Sequence, residues 1–482
     1  LLVPGLVALV LVAIVAPWGR KLRLIWTALP ALALFLPLLW SVVTGGPWRQ
    51  LLADPGPVLD YPAASFPLQL LGWSSPPPLP AVLPAAWAST AAALVLGAAV
   101  LAGGLSLLRR GTPGRAVRLG WLLALEGAGV VFVAGRLAVS VDGLTPVRLW
   151  SGAGASLALL GVLVALAVGL NGLVGEGQEK GPGLRPVVAG LVVAALLVGP
   201  VAGSALAVWQ RWNHSELRRT ATEQVPPIAV EEANGDRGTY TLTLATAESG
   251  ALVWDLMRGA GRQISDPLGL LGARNLQGWP GQLQGPDQAD QFINQTAAAI
   301  VARNPGTAAL DLATAGIGFV LASAADGVLT AALDATPGLT RLAESAGRVV
   351  WRVAPEGLEL SGRQVDAAAR LHLVENGQAT ALDSGPGTSI SLDLPNGPAG
   401  RLVVLAERAA NGWRATLEGE PLKTVGGEPS WTQTFELPAG GGELRIWYHR
   451  PWWLVATRTV ILALAVLVAV PIRRTAVERE EF

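Results

Sequence analysis

At 482 residues, 51% of them hydrophobic, 15% charged and with zero net charge, the chain is short of the ionic surface of a soluble protein, where about a quarter of residues are charged. Its neutrality gives nucleic acid no electrostatic footprint. The absence of cysteine excludes disulfides, thiol chemistry and Cys-based metal sites.

The three histidines, His214, His372 and His449, are too scattered for a His-rich metal site. The chain opens on Leu1 and its one methionine is Met257, which leads to the expectation of a fragment lacking an upstream part. Its apolar residues fall in blocks before Val208 and after Pro451. A helix needs about 20 apolar residues to cross a bilayer. About seven segments approach that length: Leu1–Trp18, Leu24–Val43, Ala86–Leu108, Leu119–Val139, Leu149–Leu170, Val187–Val208 and Trp453–Ile472. Alternate connections carry the basic residues: Arg20, Lys21 and Arg23, then Arg109, Arg110, Arg115 and Arg118, then Lys180 and Arg185, then the tail with Arg473, Arg474 and Arg479. The intervening short loops hold only Arg49 and Arg148. By the positive-inside rule the first set faces the cytoplasm, which leaves residues 209–452 on the far side and the C-terminus inside. Trp209, Arg211 and Trp212 on one flank, and Trp447, Tyr448, Arg450, Trp452 and Trp453 on the other, read as interface anchors. The alternative reading of these aromatics is a sugar-stacking platform.

Between the apolar blocks the pattern changes. The stretches "TYTLTLAT" and "GALVWDL", a helix at about 290–303, a strand at 316–321, a helix at 327–334 and a strand at 349–353 predict a small α/β unit. "TPGL" at 336–339 is a turn, with proline presetting φ and glycine supplying a positive φ. From residue 357 onward, "AARLHLVENG", "SISLDLP", "RLVVLAER", "GWRATLEG", "WTQTFELP" and "GELRIWYH" alternate apolar and polar positions between Gly, Pro and Asn turns. That is the pattern of a β-sandwich. The predicted fold class is therefore a membrane α-helical bundle of about seven spans carrying an extracytoplasmic α/β unit and an antiparallel β-sandwich. Its divisions are 1–208, a six-span region; 209–356, the α/β unit; 357–451, the sandwich; and 452–482, a last helix and cytoplasmic tail.

Specific motifs carry a resemblance. "GIGFVLA…LTAALDATPGLTRLAESAGRVVWRV" resembles a segment of multi-spanning bacterial envelope glycosyltransferases. "LVVLAERAANGWRATLEGEPL…WTQTFELPAGGGELRIWYHRPWW" resembles the outer sandwich of YfhO-like membrane proteins, with Glu418 where an Asp is common. The loop "WRQLLADPGPVLDYP…FPLQLLGW" resembles actinobacterial membrane proteins that carry a family-2 glycosyltransferase domain at the N-terminus. The resemblance implies the membrane and extracytoplasmic portion of a cell-envelope glycosyltransferase. Its nucleotide-sugar domain, with any divalent metal, would lie upstream. The implied partners are membrane lipid and a polyprenyl-phosphate-linked sugar or envelope glycan.

No D-x-D metal motif occurs in the chain, and no cofactor is expected within it. Glu126 lies about seven residues into the fourth predicted span. A carboxylate there costs about 2.5–3.5 kcal/mol on insertion scales for charged side chains, so it reads either as a functional acid, such as a lipid-carrier headgroup site, or as a neutral or hydrogen-bonded bundle residue. Asp54 and Asp60, in the first outer loop, are the other catalytic candidates. Each could be the base that activates an acceptor hydroxyl, or an ordinary loop residue. Arg49 is a candidate for phosphate or headgroups. Trp413, Arg414 and Glu418 are candidate ligand residues of the sandwich, with Trp413 also readable as core. "SGAGAS" at 151–156 reads as a close helix-packing segment more than a phosphate loop. The competing functions are a non-enzymatic envelope scaffold or glycan-binding membrane protein, and, ranked last, a lipid-linked sugar transporter.

Overall fold

The computed structural model describes residues 2–15, 18–54, 56, 58, 64–70, 90, 93, 94, 97, 104, 107, 112–142, 145–175, 224–247, 249–262, 268–285, 287–345, 347–427, 429–449 and 451–469. Two compact units result. One comprises Leu1–Arg218, Pro267–Gln284 and Trp452–Phe482; the other comprises Arg219–Asp266 and Gly285–Pro451.

The first unit begins with apolar helices α1 (Leu2–Val15) and α2 (Trp18–Val43), the short α3 (Phe66–Leu70) and α4 (Thr112–Ala134). A hairpin of β1 (Ala138–Asp142) and β2 (Thr145–Arg148) leads to α5 (Gly152–Gly175). Helices α4 and α5 approach with almost no side chain between them. A methyl group on Gly127 would sit 2.3 Å from the Ala158 nitrogen, and one on Gly161 would sit 2.4 Å from the Ala124 nitrogen. Gly154 packs in the same way against Gly127, so part of the "SGAGAS" segment is spent on helix contact. Such small-residue faces let backbones meet where no hydrophobic force separates lipid from helix.

Apolar side chains on these helices also point outward: Leu122, Leu125, Phe132 and Val133 of α4, and Leu160 and Leu163 of α5, are exposed. A helix buried in a water-soluble core would hide them. The expectation of a bundle of about seven spans is nevertheless overturned. Among the described residues one helical stretch, Gly114–Ala134, is long and apolar enough to cross a membrane, while Ala28–Val43, Gly152–Val168 and Trp452–Leu467 are shorter apolar helices. Nearly all of 86–108 and the whole of 187–208 lie outside the described residues. The rest of the chain is rich in strands belonging to several sheets. One physical reason is length, since the three shorter apolar helices stop short of the run a bilayer needs; a separate change of boundary is visible after Ala134. The apolar run that sequence assigns to a span through Val139 leaves the helix, and Leu137 and Val139 are buried with Ala53 and Ala273 under the β1–β2 hairpin. Hydropathy counts apolar residues but does not say whether a helix or a strand buries them.

The second unit opens with α6 (Pro227–Asn234), β3 (Tyr240–Thr246) and β4 (Leu252–Met257). The chain then contributes α7 (Leu268–Gly272), β5 (Leu276–Gln277) and β6 (Gln282–Leu283) to the first unit, where α7 packs on β1. It returns as α8 (Gln288–Val301), α9 (Ala308–Thr314), β7 (Ile317–Ser323), α10 (Gly327–Asp334), β8 (Leu339–Ser345) and β9 (Arg348–Val353). The sheet order is β4-β3-β7-β9-β8, with β3 and β7 parallel and the other pairs antiparallel. Side chains start two of the helices. Asp287 accepts the Asp290 N–H at 2.8 Å before α8, and Asp326 accepts the Leu329 N–H at 3.0 Å before α10. Gly338, in the predicted "TPGL" turn, has φ +82°. Trp351 is fully buried, and its indole N–H donates to Asp334 at 2.8 Å.

The sandwich follows. Strands β10 (Glu359–Leu360), β11 (Arg363–Val365), β12 (Leu371–Glu375), β13 (Gln378–Leu382), β14 (Ser389–Gly397), β15 (Leu402–Arg408), β16 (Trp413–Leu417), β17 (Glu420–Pro421), β18 (Lys423–Val425), β19 (Thr432–Glu436) and β20 (Gly440–Tyr448) form two sheets. Their orders are β10-β11-β13-β12-β15-β19-β18 and β14-β20-β16-β17. Leu371, Leu373, Val403, Leu405 and Phe435 of the first face Ile390, Leu394, Trp413, Ala415, Leu417, Leu444 and Ile446 of the second in one core. The other face of the seven-stranded sheet, including Val365, Ala379 and Ala406, joins the core of the α/β part. The last helix, α11 (Trp452–Ala469), belongs to the first unit, and its Trp453 meets Trp40 of α2 edge-on at 4.6 Å.

Candidate functional site: the outer face of the sandwich

Alternation along three neighbouring strands builds a polar face. On β20, Leu444 and Ile446 point into the core while Glu443, Arg445 and Trp447 remain partly or fully exposed. On β14, Ile390 and Leu394 are buried while Ser389, Ser391 and Asp393 are exposed. On β16, Trp413, Ala415 and Leu417 are buried and Arg414 and Thr416 face out. Antiparallel register aligns these outward residues in rows. Ser389 pairs with Trp447, which pairs with Arg414; Ser391 pairs with Arg445, which pairs with Thr416; Asp393 pairs with Glu443. Residues in such rows are within side-chain reach of one another.

Two open depressions mark this region. One, of about 520 Å³, is lined by Ser389, Ile390, Ser391, Thr416, Arg445 and Trp447. The other, of about 480 Å³, is bordered by Asn411, Trp413, Arg414, Thr424 and Gln433 over Ala409 and Ala410. Arg414 borders the second, whose Thr424 and Gln433 come from the seven-stranded sheet, and it pairs in register with Trp447 of the first.

The charges on this face differ in their commitments. Arg445 grips Glu443 with both arms, Nε to Oε1 at 2.7 Å and Nη2 to Oε2 at 2.8 Å. Ser391 donates to the same Oε1 at 2.9 Å. The Arg445 hydrogen bonds, then the Ser391 hydroxyl, hold Glu443 below the usual carboxylate range. Arg414 instead donates through Nη1 to the carbonyls of Asn411 at 2.8 Å and Trp413 at 2.9 Å, and among the described residues it has no carboxylate partner. Trp413 is a core residue, 6% exposed, stacked edge-on with Tyr448 at 5.3 Å, and it reaches the second depression only as a wall.

The remaining residues singled out from sequence are placed as follows. Glu418 is a latch in the turn after β16: at φ +51° it accepts the Glu443 N–H at 2.5 Å and donates its own N–H to the Glu443 carbonyl at 3.0 Å. Arg49 is buried, 3% exposed, and its guanidinium donates to the carbonyls of Ala138 at 3.1 Å, Leu276 at 3.4 Å and Gly278. It thereby stitches the β1 hairpin to the 276–283 excursion. Asp54 is exposed, and its carbonyl lies against Gly269. Asp60 lies outside the described residues. The Glu126 carboxyl oxygens are shielded in α4 and make no well-formed hydrogen bond among the described residues. Asp54, Arg49 and Glu126 belong to the first unit, whereas Trp413, Arg414 and Glu418 fall in the sandwich. Among the described residues no group of three His, Asp or Glu could hold a metal ion.

Trp447 was read from sequence as an interface anchor, with sugar stacking as the alternative, whereas Ser389, Ser391, Thr416 and Arg445 were not foreseen as a site. The signal was present, because the alternation in "GELRIWYH" puts Glu443, Arg445 and Trp447 on one face. Cross-strand neighbours such as Ser389 need the register, which the sequence does not supply.

No known protein family and no curated protein matches the chain. A solved structure, the cryo-EM structure of the arabinofuranosyltransferase AftD from Mycobacteria, aligns at 14% identity with a TM-score of 0.37, covering 92% of this chain. The chain spans 43% of the length of that structure.

Proposed function

We propose that this chain is the membrane-bound, glycan-engaging portion of a cell-envelope glycosyltransferase, with glycan held on the outer face of the β14-β20-β16 sheet. The observation that carries the reading is the partly exposed Trp447 indole, set between Ser389 and Arg414 and beside the row Ser391, Arg445 and Thr416. A sugar ring has an apolar C–H face and a rim of hydroxyls. An indole suits the first, and hydroxyl and guanidinium groups suit the second. Membrane attachment is supported by the exposed apolar side chains of α4, α5 and α11. The transferase part rests on the motif resemblance, with Asp54 the described acid of the first loop that could serve an acceptor hydroxyl. Arg20, Lys21 and Arg23 at the start of α2, and Arg115 and Arg118 at the start of α4, favour placing those helix ends in the cytoplasm and the sandwich outside.

The test is binding of short neutral oligosaccharides of glucose, galactose, mannose and arabinose to the full chain in phosphatidylcholine nanodiscs, followed by calorimetry and tryptophan fluorescence. At least one should bind saturably, and Trp447→Ala should weaken it about tenfold, roughly 1.4 kcal/mol. Absence of saturable binding by every sugar in the set, or full affinity in Trp447→Ala, would sink the reading.

A further inference from the structure

We infer that the glycan taken by this face carries an anionic group, a carboxylate or a phosphate on the sugar, and that Arg414 binds it. The inference rests on the proposed glycan reading and sharpens it.

Two guanidinium groups stand on the face, in adjacent rows, and only one is neutralised. Arg445 has both arms on Glu443 and presents the surroundings with a closed ion pair. Arg414 has no such partner among the described residues. An exposed arginine is commonly just a solvated cation, but three features set this one apart. Its Nη1 is tied to two backbone carbonyls, Asn411 at 2.8 Å and Trp413 at 2.9 Å. This anchors the planar group at one corner, while Nε and Nη2 keep their donors. The depression it borders contains no acidic side chain. Its polar neighbours there, Asn411, Thr424 and Gln433, are neutral. Its backbone also pairs with that of Trp447, which puts the two residues side by side in one outward row.

A tethered fork of N–H donors matches the two oxygens of a carboxylate or phosphate better than it matches a hydroxyl. Neutral amide and hydroxyl groups beside it complete such a site without competing for the cation. A neutral glycan would offer Arg414 hydroxyls but no charge to pair with.

The experiment uses the full chain in phosphatidylcholine nanodiscs with matched probes: an oligogalacturonate against its methyl ester, and a maltooligosaccharide phosphate against the unphosphorylated sugar. The acidic member of at least one pair should bind about tenfold more tightly than its neutral twin. Arg414→Gln should shrink that gap to less than threefold. Arg303→Gln, which removes the same charge from an exposed position after α8, should keep it. If acidic and neutral twins bind equally, anion selection is wrong while the stacking reading stands. If neither twin of any pair binds, both fall together. A gap that survives Arg414→Gln means that another group reads the anion. If sugars show no gap and only nanodiscs containing phosphatidylglycerol occupy the site, the anion is a lipid headgroup and the glycan assignment is overturned.

Discussion

Glu407 shows how a single residue can hold two layers together. It sits at the end of β15, where the α/β part meets the seven-stranded sheet. Its Oε1 accepts hydrogen bonds from the Tyr240 hydroxyl at 2.8 Å, Arg258 Nη2 at 2.5 Å and Arg370 Nε at 2.9 Å, and Arg370 Nη2 lies 2.7 Å away as an ion-pair contact. Arg370 is fully buried and spends Nη1 on the carbonyls of Gly385 and Gly387. Burial alone would raise the Glu407 carboxyl, but Arg258 and Arg370 together hold it below its ordinary range. Burial, and then the Glu407 charge, push Tyr240 up to about 12. These shifts fix the pH window. Tyr240 contributes in full below its unfolded value of about 10, and the contribution drains away as pH rises from there to about 12, in total about 2–3 kcal/mol. Glu407 contributes above its unfolded value of about 4.3 and loses that contribution as pH falls through its lower folded value. A thermal-midpoint series against pH should therefore decline on both sides, and Tyr240→Phe should flatten the alkaline side while easing the acid side only slightly, since Arg258 and Arg370 still hold Glu407 down. Glu407→Gln should cost about 3 kcal/mol at neutral pH, because it strands a buried guanidinium. Little of this cluster was legible in the sequence, since Tyr240, Arg258, Arg370 and Glu407 come from four separate segments and no local pattern links them.

At the scale of elements, local signals worked where a turn or a period decided the structure. The "NG" and "EG" pairs bracket β16 at Trp413–Leu417, and the glycine of "TPGL" takes the positive φ that its turn requires. They failed where tertiary packing chose between helix and strand, as at Leu137–Val139, and where a polar stretch was recruited by another unit, as at 276–283. The α4–α5 contact is where element-scale packing can be tested. Gly127 has the Ala158 backbone against its Cα, whereas a methyl on Gly129 would meet nothing within 4 Å. Gly127→Val should therefore force the helices apart and destabilise the detergent-solubilised chain by about 1–3 kcal/mol. Gly129→Ala should be neutral or stabilise by up to about 1 kcal/mol through helix propensity. Equal melting curves by circular dichroism for the two variants would show that the helices do not rely on close approach.

For the molecule as a whole, the composition was a poor guide to architecture. An apolar excess concentrated at both ends of the chain pointed to a bilayer, but counting apolar runs overstated the number of crossing helices, because several runs form apolar helices too short to cross. What the structure adds is the direction the apolar side chains face. Leu125 on α4 is 64% exposed, and Val455, Val460, Val466 and Leu467 on α11 are exposed as well. In water this surface would cost about 25 cal/mol per Å², whereas in hydrocarbon it costs nothing. The chain should therefore sediment with membranes and resist an alkaline carbonate wash. Leu125 gives the sharper test. In lipid, Leu125→Arg places a guanidinium near the middle of the span-length helix α4, at a cost of about 2.5–3.5 kcal/mol on insertion scales, and should shift a large fraction of the chain into the carbonate supernatant. In water the same change merely adds a charge to an exposed position and should improve solubility without altering where the chain is found. The opposite substitution, Arg115→Leu, at an exposed site near the start of α4, should leave membrane retention unchanged but weaken the orientation bias that basic residues impose. Protease protection in sealed vesicles would read this out as mixed accessibility of the sandwich.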